Sequence, residues 1–145
     1  MAVIFSEDDL FTLTEDVIEK LVSMAQKAEL KRSRICLHHA NDHLLHQMII
    51  VFVKGTEVPI HRHHNKAESF HMIKGKLKLI FYDDNGNETE SIVLEEPGGC
   101  SGAPYIFRLS SDRWHKVVPL TDITIVHEIT TGPFIKDDME ILDLH

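Results

Sequence analysis

The sequence predicts a mostly β domain, built as an antiparallel sandwich or barrel, with one α-helix ahead of it. From about Leu45 onward, short runs rich in Val, Ile and Phe follow one another at near-regular spacing and are separated by turn residues. No helical pattern of useful length interrupts these runs. We therefore expect no parallel βαβ units among them.

The helix is predicted from residue 14 to about residue 31. Thr14 can cap its first turn, and Glu15 and Asp16 suit the positive end of the helix dipole. Apolar side chains then recur with helical spacing at Val17, Ile18, Leu21, Val22, Ala25 and Ala28. The simplest interpretation of this stripe is a face that packs on the body of the domain or on a partner.

Seven strands are predicted in the β-rich part of the chain, near residues 47–53, 68–73, 76–82, 90–94, 105–109, 116–119 and 124–130. Gly75 permits a tight turn after the second of these strands, and residues 83–87 favour a hairpin loop after the third. We expect a single domain. Residues 1–35 form a helix and lead-in on the barrel, residues 36–134 the barrel, and residues 135–145 a loosely packed acidic tail.

Composition limits the classes of partner. The chain has 145 residues with 15 Lys and Arg against 23 Asp and Glu, a formal charge of -8. This balance argues against non-specific attraction to nucleic acid or anionic membrane. No apolar run approaches the roughly 18 residues of a membrane span, and the acidic N-terminus does not resemble a secretory signal. We expect a cytoplasmic protein in which Cys36 and Cys100 stay reduced or buried.

Histidine is the unusual residue, with 11 in the chain. Four of them fall between positions 61 and 71. Residues two apart in extended chain face the same side, so His61 and His63 project together from one strand. His64 is out of phase with this pair, and we expect it in a loop.

Glu68 begins the next predicted strand. Its alternation partners Phe70 and Met72 are apolar, so the carboxylate is expected on the core-facing side, where an unpaired charge is costly. A cation between Glu68 and the two histidines removes that cost. Imidazole and carboxylate ligands together suit one divalent transition metal, and Fe, Zn, Mn, Ni and Co all remain open. By the same alternation, His71 is expected on the outer face.

The stretch from Gly55 to Gly75 matches the first cupin motif, which runs Gly, five residues, His-x-His, three or four residues, Glu, six residues, Gly. Of the second cupin motif only the histidine survives, as His115. In place of the motif's Gly, Pro, Gly and Asn the chain has Pro104, Ser110, Asp112 and Pro119.

The chain is thus identified as resembling the cupin superfamily. This resemblance implies a cupin double-stranded β-helix, or jelly-roll barrel. It also implies one metal ion held by His61, His63, Glu68 and His115. Cupins often pair through sheet edges, so a homodimer is one expected state.

A closer resemblance is to the small WbuC-type cupins, which are encoded among surface-polysaccharide genes. The features shared with them are Arg32-Ser-Arg34 followed by His38, residues 59–63, the hairpin 75–86, and residues 128–134. Thr130 stands where that subfamily has a lysine.

That resemblance implies residues around the metal that orient a substrate or carry a proton. The expected catalytic residues are His38, Lys66 and Glu128, and Arg34 is expected to bind substrate. The alternatives are a solvated surface charge for Arg34 and Lys66, and a salt bridge at a strand end for Glu128. Trp114 adjoins His115 and is expected either to wall the pocket or simply to pack.

Three functions remain open from the sequence. The first is a metal-dependent enzyme, such as an isomerase, epimerase or lyase, acting on a small polar molecule. The resemblance favours a sugar or nucleotide-sugar derivative as its substrate. The second is an Fe(II)-dependent dioxygenase. The third is a non-catalytic module that binds a sugar or regulates a partner.

Overall fold

The computed structural model describes residues 2–143. Its strands are β1 Ala2–Phe5, β2 Arg32–Cys36, β3 Leu45–Val53, β4 His61–His63, β5 Glu68–Lys74, β6 Lys76–Tyr82, β7 Glu88–Glu95, β8 Ile106–Leu109, β9 Trp114–Pro119, β10 Ile123–Thr131 and β11 Met139–Ile141. Helix α1 spans Glu15–Lys27, and a 3-10 turn spans Lys136–Asp138. Residues 1, 144 and 145 of the expected lead-in and tail lie outside the described residues.

Helix α1 begins where the sequence predicts and ends earlier. The Thr14 side chain accepts a hydrogen bond from the Val17 backbone N–H, at 3.4 Å. At Ala28 the backbone becomes extended, with ψ of 140°, which ends the helix. Leu21 and Ala25 form its buried stripe. Within residues 2–143, no helix has the length and apolar character to cross a membrane.

The strands form two sheets. One has six strands in the order β1-β2-β3-β10-β5-β8, and the other has five in the order β11-β4-β9-β6-β7. Neighbours are antiparallel except β1 and β2, which run parallel and are joined through α1. The predicted mostly β fold is confirmed. The sequence did not reveal the N-terminal βαβ unit, because β1 and β2 are short and precede the β-rich part of the chain that begins near Leu45.

The two faces of the six-stranded sheet carry separate apolar clusters. Its inner face meets the five-stranded sheet in a cluster of Cys36, Met48, Ile50, Phe52, Phe70, Met72, Leu77, Leu79, Phe81, Leu94, Leu109, Val117 and Val126. Its outer face is covered by α1 in a second cluster of Leu21, Ala25, Ile35, Ile49, Val51 and Ile125. Alternation along each strand therefore supplies both layers.

The C-terminal segment differs from the expected loosely packed tail. Met139 pairs with His63, and Ile141 pairs with His61, so β11 forms the edge strand beside β4. The Glu140 carboxylate accepts bonds from Arg62 Nε and Nη2, at 3.1 and 3.0 Å. The tail is ordered because it satisfies the free edge of β4 and neutralises a basic side chain on it. The expectation of loose packing was wrong.

Candidate metal centre

Three histidines converge at one end of the barrel. His61 on β4 lies directly opposite His115 on β9, and their ring centroids are 4.5 Å apart. His63, two residues along β4, has its ring 5.0 Å from that of His61 and 5.9 Å from that of His115. One ring nitrogen from each lies within 4.8 Å of the others. The strand phase predicted for His61 and His63 is therefore confirmed.

Glu68 faces this group from the other sheet. It is the first residue of β5, and only 5% of it is exposed. Its Oε1 lies 2.7 Å from His115 Nε2, and its Oε2 lies 3.4 Å from His63 Nε2. Among residues 2–143, no donor makes a hydrogen bond of acceptable geometry to the buried Oε1. A buried carboxylate oxygen without a donor is costly unless a cation or proton lies beside it.

Backbone carbonyls orient two of the histidines. His61 Nδ1 lies 2.8 Å from the Pro59 carbonyl oxygen, and His115 Nδ1 lies 2.7 Å from that of Arg113. A carbonyl oxygen only accepts, so each Nδ1 donates a proton to it. In the neutral ring, Nε2 is then left with a lone pair. This is the outer hydrogen bond that metal-binding histidines typically make.

The donor set fits a divalent transition metal. Three imidazole nitrogens and one carboxylate oxygen suit such an ion, and four protein ligands leave room for water or substrate in a five- or six-coordinate site. The unsatisfied Oε1 of Glu68 and the outward lone pair of His115 Nε2 face each other at 2.7 Å. A cation bound by both atoms would resolve this contact.

The electrostatics favour ligands ready for a cation. Burial, together with neighbouring His115, lowers the pKa of His61 to about 4, and burial also lowers the pKa of His63. Burial opposes charge on His115, but its contact with Glu68 raises the His115 pKa above the ordinary value. Burial alone would raise the pKa of Glu68, and the same contact with His115 lowers it. His61 and His63 are therefore neutral at neutral pH.

The histidines and Glu68 open into a cavity of about 290 Å³ inside the barrel. The predicted residues Arg34, His38, Lys66 and Glu128 all line this cavity. The cavity thus contains the four predicted metal ligands and every other predicted site residue except Trp114. A cavity of this size is at the lower end of the range for small-molecule sites.

Glu128 lies beside the metal centre. It projects from β10 on the same face as Thr130, which pairs with Glu68. Its carboxyl lies near that of Glu68 and near the guanidinium of Arg34. Burial, reinforced by Glu68, raises the pKa of Glu128 to about 8. Glu128 therefore holds a proton at neutral pH.

His38 lies further along the wall and stacks on a second histidine. Its Nδ1 accepts from the Gln47 backbone N–H at 3.2 Å, and its ring centroid is 3.9 Å from that of His46. Burial and His46 lower the pKa of His38 to about 4. His46 also lines the cavity, and the sequence prediction missed it. His46 lies two residues before Met48 and four before Ile50, so a strand predicted to begin at Leu45 would have placed all three on one face.

Lys66 and Trp114 have other immediate partners. Lys66 Nζ donates to the carbonyl oxygens of Thr131 and Pro133, at 3.1 and 3.0 Å, and so ties the end of β10 to the cavity rim. Trp114 is not among the described residues that line the cavity. Its Nε1 donates to Asp84 at 2.9 Å, and the Arg62 guanidinium lies 4.2 Å from its ring centroid. This placement favours the packing alternative for Trp114.

His64 and His71 lie where the sequence predicts. His64 is in the turn after β4, and its ring nitrogens contact Asp112 at 3.2 Å and Glu140 at 2.8 Å. His71 is exposed on the outer face, with its ring centroid 6.3 Å from that of His127. Neither ring belongs to the inner group of three histidines.

Comparison with known proteins identifies the fold. The family model described as "Domain of unknown function (DUF6016)" matches residues 13–94. No curated protein matches the sequence. The capsular polysaccharide assembling protein CapF from Staphylococcus aureus is 17% identical, with a TM-score of 0.60, over 76% of this chain and 30% of the CapF chain.

Two further solved structures share the architecture. The Cnp3 cupin domain of Schizosaccharomyces pombe is 11% identical, with a TM-score of 0.53, over 74% of this chain and 70% of that one. Oxalate decarboxylase of Bacillus subtilis, described with Mn(II) centers, is 16% identical, with a TM-score of 0.52, over 68% of this chain and 24% of the decarboxylase. This chain thus spans only about a quarter to a third of CapF and the decarboxylase. The likeness confirms the predicted cupin fold, and the finer WbuC-type resemblance stays a prediction.

Proposed function

The chain belongs to the family described as a domain of unknown function (DUF6016), and we propose from its site that it is a metal-dependent enzyme. The enzyme acts on a small polar molecule held inside the barrel. His61, His63, Glu68 and His115 are its metal ligands. The observation that supports this most is the buried, unsatisfied Oε1 of Glu68 among three histidines at the cavity wall. A purely structural metal site is closed by its protein ligands, whereas this site opens into a cavity.

A bound metal would supply Lewis acidity, polarising a carbonyl or hydroxyl oxygen of the substrate. The protein's own contribution is proton transfer and exclusion of water. Glu128 holds a proton on its carboxyl at the cavity wall, so it can deliver a proton to the substrate and take one back. The apolar side chains of Met48, Ile50 and Phe70 line the same cavity and limit the water around the reacting atoms.

His38 and Lys66 have supporting roles in this proposal. Because His38 Nδ1 accepts a hydrogen bond from the Gln47 N–H, the proton of the neutral His38 ring lies on Nε2, from which it can be donated to the substrate. Lys66 positions the rim through its two carbonyl bonds.

A sugar derivative is the favoured substrate class. CapF is described as a capsular polysaccharide assembling protein, and the WbuC-type resemblance also implies surface polysaccharides. Isomerisation or epimerisation of a sugar needs a carbon-bound proton to be removed and returned. With a pKa of about 8, an ionised fraction of Glu128 can take that proton from carbon, and the carboxyl so protonated can return it.

The metal assignment is tested by elemental analysis of protein purified without chelators or affinity nickel. We expect about one equivalent of metal in the native chain and in His71→Ala, a control on the outer face. His63→Ala and His115→Ala should lose most of it. Metal retained at full stoichiometry in both variants would overturn the site.

The reaction is tested with a panel of sugars in deuterated water. Isomerase or epimerase chemistry incorporates solvent deuterium at carbon, which is detected by NMR. Glu128→Gln should keep its metal and lose the incorporation. Equal turnover by metal-stripped and reconstituted protein would contradict a metal-dependent reaction. Oxygen uptake by anaerobically loaded Fe(II) protein would instead favour a dioxygenase, and ligand binding without any conversion would favour a non-catalytic module.

A further inference from the structure

Several cations face the cavity of a strongly acidic protein. The chain carries a formal charge of -8, yet Arg32, Arg34 and Lys66 all line the cavity. The salt bridges found among residues 2–143 include none of the three. The cavity is also lined by Glu68, Glu128 and Asp138, but these three cations form no salt bridge with them.

Two of these cations use neutral partners. Arg32 Nη1 donates to the Glu57 carbonyl oxygen at 2.9 Å and to Thr56 Oγ1 at 3.4 Å. In the described part of the chain, Lys66 donates to two backbone carbonyls, as given above. Neutral oxygens satisfy these donors, but they leave the positive charges in place.

Arg34 is the cation at the centre of the wall. It lies in the middle of β2, opposite Ile50 of the inner core layer, so its side chain shares the inner face with the cavity residues. Its Nε is buried and has no hydrogen-bond partner in the described part of the chain. A guanidinium with a free buried donor is costly, and it matches the two oxygens of a planar acid.

The neighbouring acid does not form an ion pair with this arginine. Glu128 lines the same cavity, but the salt bridges found among residues 2–143 include neither Arg34 nor Glu128. The two carboxylate oxygens of Glu68 lie against His63 and His115 instead. The Arg34 Nε can therefore bind a ligand.

The cavity limits the size of that ligand. Its volume of about 290 Å³ equals that of roughly ten water molecules. A monosaccharide or a shorter acid matches this space, and a whole nucleotide-sugar exceeds it. The apolar wall of Met48, Ile50, Phe52 and Phe70 favours a ligand with one charged end and a carbon skeleton.

We propose that the cavity binds a small carboxylic acid of up to monosaccharide size, with its carboxylate on the Arg34 guanidinium and a hydroxyl or carbonyl oxygen toward His61, His63 and His115. This rests on the proposed function and names its substrate class as hydroxy or keto acids. Arg34 fixes the acid's orientation, and Arg32 and Lys66 add to the attraction.

The test measures dissociation constants by titration calorimetry for acids and matched neutral compounds. The pairs are glycolate with ethylene glycol, D-gluconate with D-glucitol, and D-glucuronate with D-glucose, and D-glucose 6-phosphate is added as a phosphate probe. We expect at least one acid to bind at least about 30-fold more tightly than its neutral counterpart. Arg34→Met should remove this preference, and Arg34→Lys should keep part of it. Arg108→Met, whose arginine on β8 contacts Ser110 at 3.1 Å, is the matched control and should bind as the native chain does.

Equal binding of acids and neutral compounds, or unchanged acid binding in both Arg34 variants, would overturn the proposal. Preference for the phosphate probe alone would also overturn it. Repeating the titrations on metal-loaded and chelator-treated protein separates this result from the proposed function. If the metal centre is wrong, acids still bind through Arg34 to the same extent in both forms. If the acid subsite is wrong, metal still binds at full stoichiometry and no acid preference is seen.

Discussion

His61 on β4 and His115 on β9 are directly opposed across an antiparallel pair, although 54 positions separate them in the chain. Each donates its Nδ1 proton to a carbonyl oxygen of the residue two positions before it, Pro59 and Arg113. The two strands therefore present the rings in the same way. Their Nε2 lone pairs are available to one shared cation together with Glu68.

Metal binding should stabilise the fold, because the ion binds the native chain and bridges both sheets. At a free metal concentration 100-fold above the dissociation constant, the free energy of unfolding should rise by about 2.7 kcal/mol. For a domain of this size the melting temperature should rise by about 5 to 10 °C. Calorimetry of chelator-treated protein with and without added metal measures this. His61→Ala should abolish the rise while His71→Ala keeps it. A rise of equal size in His61→Ala would contradict the assignment.

Stability should fall in acid through His38. Burial holds the pKa of His38 at about 4 in the native chain, against about 6.5 when unfolded. Between these values the unfolded chain binds more protons, so the contribution is complete above pH 6.5 and is lost as the pH falls toward 4. We expect a loss of about 1 to 2 kcal/mol from this residue.

Urea unfolding of chelator-treated protein at pH 7.5 and pH 4.5 measures the effect. His38→Gln removes the titrating group, so its free energy of unfolding should change less between the two pH values than that of the native chain. Equal pH dependence in the two proteins would show that His38 is not responsible.

Glu140 of β11 should stabilise β4, the strand that carries His61 and His63. Glu140→Gln removes the charge that contacts Arg62 and His64 beside the candidate ligands. Because these pairs are exposed, the loss of unfolding free energy should be small. The affinity for metal should also fall, since β11 is the neighbour that holds the edge of β4. Asp137→Asn, in the adjacent 3-10 turn, is the control. If Glu140→Gln changed neither the free energy of unfolding nor the affinity for metal, this role of Glu140 would be contradicted.

The turn after β5 should tolerate only glycine. Gly75 has φ of +84°, and a Cβ atom there would meet Thr121 Oγ1 and the Ile123 carbonyl oxygen. Gly98 has a similar φ of +89°, with nothing within 4 Å of such an atom. Gly98→Ala should therefore cost only the backbone strain, about 1 kcal/mol, and Gly75→Ala at least about 1 kcal/mol more. Chemical denaturation of both variants measures the difference. Equal losses would mean that the close approach at Gly75 relaxes without cost.

Features set by near neighbours in the chain could be predicted from the sequence. The shared face of His61 and His63, the inward position of Glu68 and the start of α1 all follow from spacing over a few residues. The structure confirms each of these placements. They depend on alternation and capping, which act locally.

Features that depend on distant strands could not be predicted in the same way. The sequence missed β11 because three exposed residues carry no apolar pattern, and only the free edge of β4 explains why they pair. It missed His46 because the strand was predicted to begin at residue 47, whereas pairing with β10 extends β3 back to Leu45. Trp114 adjoins His115 in sequence but lies away from the cavity, because neighbouring residues of a strand face opposite sides.

The mostly β fold, the helix and the strand phases of His61, His63 and Glu68 can be predicted from the sequence alone. The fold was needed to show that His115 faces His61 and that β11 pairs with β4. It also shows that Arg34 lies in the cavity with an Nε that has no partner among the described residues. The difference lies in the distance along the chain over which each feature is set. Backbone geometry fixes side-chain direction within a strand, whereas register between strands far apart in the chain is chosen by the packing of the whole barrel.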